Sequence, residues 1–114
     1  MASAEDVEQI KIVEWVKQLA KVPVLHIANQ RQTSPQHGTL LKRMGVRPGT
    51  SDLFFPRGSG RFSGLWIELK VGNNKPSSLQ QQFLDEMNEE GYLAECVWGS
   101  ESAIQLIKSF YGLK

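Results

Sequence analysis

"GLWIELKVGNNKPSSLQQQFLDEMNEEGYLAECVW", Gly64 to Trp98, holds a strand, a helix and a second strand in close succession. Leu65, Ile67, Leu69 and Val71 alternate with Trp66, Glu68 and Lys70, so the first four share one face of a strand and the other three share the opposite face. Ser77 then stands three residues before Gln80, the spacing of a capping box. Leu79, Phe83, Leu84 and Met87 follow as an apolar helical stripe, and Gly91 stops it. "YLAECVW" returns to strand. Working outward, Ala4 to Ala20 places Ile12, Trp15, Val16 and Leu19 on one helical stripe, with Glu5 and Glu8 on its backward extension, and Pro23 ends it. "VLHIANQ" (Val24 to Gln30) reads as a strand with Leu25 and Ile27 on one side and His26 and Ala28 on the other. A polar stretch with Gly and Pro leads to a short helical turn, "TLLKRMG", closed by Gly45. "RPGTS" is a turn, "DLFF" a strand, "GSG" a turn, and "SESAIQLIKSFYGL" a closing helix capped by Ser100 or Ser102. This order predicts an α/β layered domain, with a small mixed sheet between helices.

At 114 residues and 40% apolar composition, the sequence predicts one domain, residues 1–114, able to bury a core. It contains no apolar run of the roughly 20 residues that a membrane span needs. "MASAEDVEQ" lacks the basic-then-apolar order of a secretory signal, so the expectation is a soluble, intracellular (cytoplasmic) protein with no membrane partner. The single cysteine, Cys96, excludes an intrachain disulfide and makes no zinc cluster with the isolated His26 and His37; it reads as a small buried hydrophobe. Trp15 and Trp98 are assigned to the core, and Trp66 to packing rather than base stacking.

The net charge of +1 conceals a segregation. From Arg31 to Lys75 there are eight basic residues against only Asp52 and Glu68, and the other ten acids lie in the first 14 residues and from Asp85 to Glu101. A basic middle between acidic helices suggests a surface for a polyanion. The two acids within it are therefore the informative ones. Asp52 opens one strand and Glu68 lies in the next, across a short connection, which brings two carboxylates to adjacent strands. Such a pair repels unless a hard divalent cation lies between, and Mg²⁺ characteristically accepts carboxylates together with phosphate oxygens and water. Lys70, on the same face as Glu68, is placed to orient water or oppose charge on a phosphate.

Asp52 followed by Glu68-Leu69-Lys70 resembles the signature of the PD-(D/E)XK nuclease superfamily, and the surrounding sequence resembles its VRR-Nuc branch. The resemblance is carried by Glu5 and Gln9 before "IVEW", "HIANQ", "GTLLKRMGVRPGTSDLFF", "GLWIELK" and "KPSSLQQQFLDEMNEEGY". It implies a three-layer restriction-endonuclease-like fold and a Mg²⁺- or Mn²⁺-dependent DNA endonuclease. Asp52 and Glu68 would be metal-binding carboxylates, the Leu69 carbonyl a backbone ligand, and Lys70 the catalytic lysine. Gln80 matches a glutamine near that lysine; it equally fits the helix cap, and one conformer is not expected to serve both roles. The first-helix acid is Glu5 by its spacing to Gln9, with Glu8 as the alternative. Two departures, Ser51 before the acid and Ala28 before Asn29, replace prolines of the pattern and bear on loop rigidity rather than on ligands. Asn29, Arg31, Lys42, Arg43, Arg47 and Lys75 flank the site and are candidate DNA contacts. Minimal members of the family imply homodimers acting on branched DNA such as four-way (Holliday) junctions. The alternatives are a nicking or restriction-type nuclease on duplex or flapped DNA and, from another class, a non-catalytic DNA-binding module, which would have no use for acids facing phosphate. A purely structural interaction protein would leave the acid and lysine set unexplained.

Overall fold

The computed structural model describes residues 2–28 and 34–114. Its sheet has the order β1 (Leu25–His26), β2 (Leu53–Phe55), β3 (Leu65–Lys70), β4 (Leu93–Trp98). β1 and β2 run antiparallel, as do β2 and β3, whereas β4 joins β3 in parallel after a helical crossover. The sheet is therefore mixed. Helix α1 (Ala4–Trp15) and helix α4 (Gly99–Tyr111) cover one face, where Ile12, Val16, Ala103 and Ile107 meet Leu53, Phe55, Leu65, Ile67, Leu69 and Val97. Each buried Val, Leu, Ile or Phe side chain of this set contributes about 1.5–3 kcal/mol on burial. Helix α3 (Ser78–Glu89) covers the other face, where Trp66 stacks on Phe54 at 4.2 Å and meets Phe83 edge-on at 4.9 Å. Three layers result. Trp66 is a packing residue, as its place in the strand suggested.

α3 begins at the capping box: Ser77 Oγ accepts from Gln80 N and Gln80 Oε1 accepts from Ser77 N. The backbone then turns at Gly91, with φ +98°. α2 (Pro35–Arg43) is longer than the turn expected from "TLLKRMG", because Ser34 caps it and Pro35 opens its first turn. It buries none of its residues.

Several expectations are corrected. The first helix does not hold one phase to Ala20: from Val16 to Ala20 it widens into a π-helical turn, closed by Lys21 N–H on the Val16 carbonyl. The wider turn rotates Leu19 away from the core, leaving it 72% exposed. β1 is two residues long, Leu25–His26, rather than starting at Val24, and the Asn29–Gln30 end of the expected strand lies outside the described residues. Trp98 is not a core residue; it is 44% exposed at the end of β4 and donates through Nε1 to the Asn74 carbonyl. Neither Ser100 nor Ser102 caps α4 with its own side chain. Glu8 of α1 does so from outside, accepting from both Ser100 N and Ser100 Oγ. Among the described residues no helix is long and apolar enough to cross a membrane.

Candidate active site

Asp52 leaves the turn just before β2, and Glu68 and Lys70 project from β3 on the face opposite the aliphatic core. Asp52 is tied down locally, since its Oδ2 accepts the Leu69 N–H at 2.8 Å. The same peptide segment whose carbonyl is a candidate ligand thus anchors the first acid. Glu5 reaches the group from the first turn of α1. One carboxylate oxygen each from Glu5, Asp52 and Glu68 lie within 4.8 Å of one another. Glu8, the alternative acid, is directed elsewhere, to the α4 N-terminus and to Lys11 at 2.8 Å. Those partners hold its carboxyl down to about 2.

Glu68 is only 1% exposed. Its Oε2 meets Lys70 Nζ at 3.4 Å and the Gln80 amide nitrogen at 3.3 Å, while Oε1 is buried with no hydrogen-bond partner among the described residues. Burial, then the neighbouring Asp52 charge, push the Glu68 carboxyl up to about 8, against the pull of Lys70. Gln80 overturns the expectation that it had to choose between roles. Its Oε1 completes the α3 cap while its Nε2 donates to Glu68, because the two ends of a primary amide can serve two partners at once.

The donor set fits a hard divalent cation. Three convergent carboxylates supply oxygen ligands only, and the orphaned Glu68 Oε1 is a buried acceptor for which the described residues offer no hydrogen bond. These groups open into a cleft of about 600 Å³ whose lining includes Glu5, Gln9, His26, Asp52, Glu68 and Lys70. Lys42 and Arg47 stand on its wall, whereas Arg43 and Lys75 do not line it. Arg47 is engaged already, paired with Glu86 and lying over the Phe83 ring. Asn29 and Arg31 lie outside the described residues. Cys96, directly across from Glu68 on β4, has its thiol pushed up to about 11 by burial and the nearby acids, and behaves as a part-buried neutral side chain. Gln9 and His26, among the polar side chains lining the cleft, had no role assigned from sequence. Gln9 carries a signal, standing four residues after Glu5 and so on the same helical face; His26 carries one only as the first residue of "HIANQ".

No family model matches the chain, and no curated protein matches it. A solved structure does: a VRR_NUC domain protein, 28% identical, superposes with a TM-score of 0.80 over 99% of this chain and 92% of that one. The likeness read from the motifs thus extends to the whole arrangement of helices and strands.

Proposed function

We propose that this chain, which shares the VRR-Nuc fold along its length, is a single nuclease domain (1–114) that hydrolyses DNA phosphodiester bonds with Mg²⁺ or Mn²⁺. The observation that carries the reading is the convergence of Glu5, Asp52 and Glu68 beside Lys70 in one open cleft, with a buried Glu68 oxygen left for a ligand. Glu5, Asp52, Glu68 and the Leu69 carbonyl would hold the cation. Once bound, it supplies Lewis-acid polarisation of the phosphate and acidification of water. The protein's own groups do the rest. The Leu69 N–H fixes the Asp52 carboxylate, and Gln80 fixes that of Glu68 from a helix start rigidified by its cap. Lys70, only 13% exposed, holds its ammonium where it orients the attacking water and opposes charge growing on the phosphate oxygens. Lys42 and Arg47 attract the backbone from the cleft wall, with Arg43 and Lys75 further out.

The preferred substrate in this reading is branched DNA, a four-way junction being cut by a homodimer whose two-fold axis presents two equivalent sites for two matched cuts. The test is incubation of the purified protein with Mg²⁺ or Mn²⁺ and labelled linear, nicked, flapped and four-way DNAs. Paired symmetric cuts in the junction are expected. Cutting confined to duplex or flapped DNA would replace junction selectivity with a nicking or restriction-type activity. Binding without any cutting would reduce the protein to a DNA-binding module. Asp52→Asn, nearly isosteric, should abolish cleavage while the fold persists. In single turnover Lys70→Ala costs ~10²-fold or more in rate with affinity in Ca²⁺ little changed.

A further inference from the structure

We propose that His26 is a further substrate-contacting residue, presenting its Nε2–H to a backbone phosphate oxygen of the strand in the cleft, and that Gln9 is the residue that positions it. The proposal rests on the nuclease reading above. Its starting point is a hydrogen bond between two cleft-lining side chains, Gln9 Nε2 to His26 Nδ1 at 2.5 Å. An amide nitrogen only donates, so Nδ1 accepts. A ring with an accepting Nδ1 is the neutral tautomer that carries its proton on Nε2. Among the described residues none takes that Nε2–H. Gln9 thus sets both the tautomer and the plane of the ring.

The backbone places this donor beside the carboxylates. His26 pairs with Leu53 across the β1–β2 ladder, and the next residue, Ile27, donates its N–H to the Asp52 carbonyl at 2.8 Å. Gln9 follows Glu5 by one helical turn of α1, so the acid and the residue holding the ring move as one rigid unit. The chemistry is suited to the position. A phosphodiester approaching three carboxylates is repelled, so donors are needed to hold it. A lysine or arginine at this point would be drawn into ion pairs with the same acids. A neutral N–H donates to a phosphate oxygen without competing for them. The simpler role, a histidine that only pins β1 to α1, makes different predictions.

The test uses the full chain. In Ca²⁺, affinity for a labelled four-way DNA is measured against salt for wild type, His26→Ala, His26→Gln and Lys42→Ala, beside single-turnover cleavage in Mg²⁺. His26→Ala should weaken binding by about tenfold or more, the scale of a hydrogen bond to a charged group. Its slope of log affinity against log salt should stay as in wild type, because a neutral donor releases no counterion, whereas Lys42→Ala lowers the slope by about one. His26→Gln, which keeps an N–H donor, should recover part of the loss. Long-range ¹H–¹⁵N spectra should give the Nε2–H tautomer in the free protein, lose it in Gln9→Ala, and move the Nε2 resonance when DNA is added. A structural pin would leave that resonance unmoved by DNA. Wild-type affinity in His26→Ala, an Nδ1–H tautomer, or an Nε2 signal indifferent to DNA would overturn the proposal while the nuclease reading stood. Failure of the wild-type protein to bind DNA would overturn both.

Discussion

Glu68 is a charged side chain buried in the fold at an electrostatic cost. Removing a carboxylate from water costs several kcal/mol, and here Lys70 and Gln80 both meet the same oxygen and leave the other bare. With its pKa raised from 4.5 to about 8, the folded protein holds this proton more tightly than the unfolded chain does. The group's stabilising contribution is therefore fully present below 4.5 and is lost as the pH rises through about 8. Two results are expected from thermal denaturation without metal. The Tm contribution of this residue declines between those pH values, and Glu68→Gln removes the decline, making the variant more stable than wild type near pH 9. The same variant should lose the rise in Tm that Mg²⁺ or Ca²⁺ gives the wild type. A Glu68→Gln protein less stable than wild type in alkali would contradict the burial argument. Asp52, Glu68 and Lys70 were legible in the sequence because a strand has a period of two and charges on a half-apolar strand stand out. Glu5 was preferred to Glu8 from its spacing to Gln9, but the reason Glu8 is excluded was not legible. Both sit on one stripe, and what removes Glu8 is a helix start 92 residues away. Nor does spacing reveal that one amide can face a cap and a carboxylate at once.

The elements hold these residues in register through a few close approaches. Gly49 has φ +86°, and a Cβ there would stand 2.6 Å from the Leu79 carbonyl carbon and 2.9 Å from Gln80 N. The turn that delivers Asp52 is thus pressed against the first turn of α3, which delivers Gln80. Pro48-Gly49 was readable as a turn, but not that its glycine is the contact between two halves of the site. Gly49→Ala should cost about 1–3 kcal/mol from the strained φ alone, and more from the clash. Denaturant unfolding would show a lower midpoint, and residual cleavage in the folded fraction should fall as Asp52 and Gln80 separate. Full stability in that variant would mean the two segments part without consequence. The α4 start offers a second check. Glu8, its carboxyl lowered to about 2, contributes stability that is present above 4.5 and lost as the pH falls through about 2. Glu8→Ala should lower Tm at neutral pH by removing the acceptor for two α4 donors, and the difference from wild type should vanish in strong acid. α3 was legible because its start and stop signals are local, within its own residues. The π-turn and the borrowed cap of α4 were not: the first leaves no mark in the apolar spacing, and the second depends on a partner remote in sequence.

Across the whole molecule, basic and acidic side chains are segregated, and the proposed DNA path follows the basic ones. Lys42 and Arg47 stand on the cleft wall, while Asp85, Glu86, Glu89 and Glu90 lie on or at the end of α3. The segregation was plain in the sequence, but the sequence did not reveal that Arg47 is held by one of those acids and by the Phe83 ring. Lys42 has no recorded ion pair among the described residues, so it is available to a phosphate at once. For Arg47 to reach one, the guanidinium must first leave Glu86, and that rearrangement subtracts from its contribution. Binding in Ca²⁺ should therefore weaken steeply with salt. Lys42→Ala should reduce the slope of log affinity against log salt by about one, and Arg47→Ala by less. Glu86→Gln provides the deciding measurement. The pair is about half exposed at each end, a setting in which such bridges contribute roughly 0.2–1 kcal/mol, so releasing Arg47 should tighten DNA binding by about 1.4- to fivefold at low salt. Removing a negative charge near the cleft would by itself tighten binding slightly, and the double variant Arg47→Ala/Glu86→Gln separates the two effects. If release of Arg47 is the cause, Glu86→Gln has no effect once Arg47 is gone. If the gain persists in the double variant, the acid acts only through the general field, and Arg47 stays with Phe83 as a packing residue while Lys42 carries the contact.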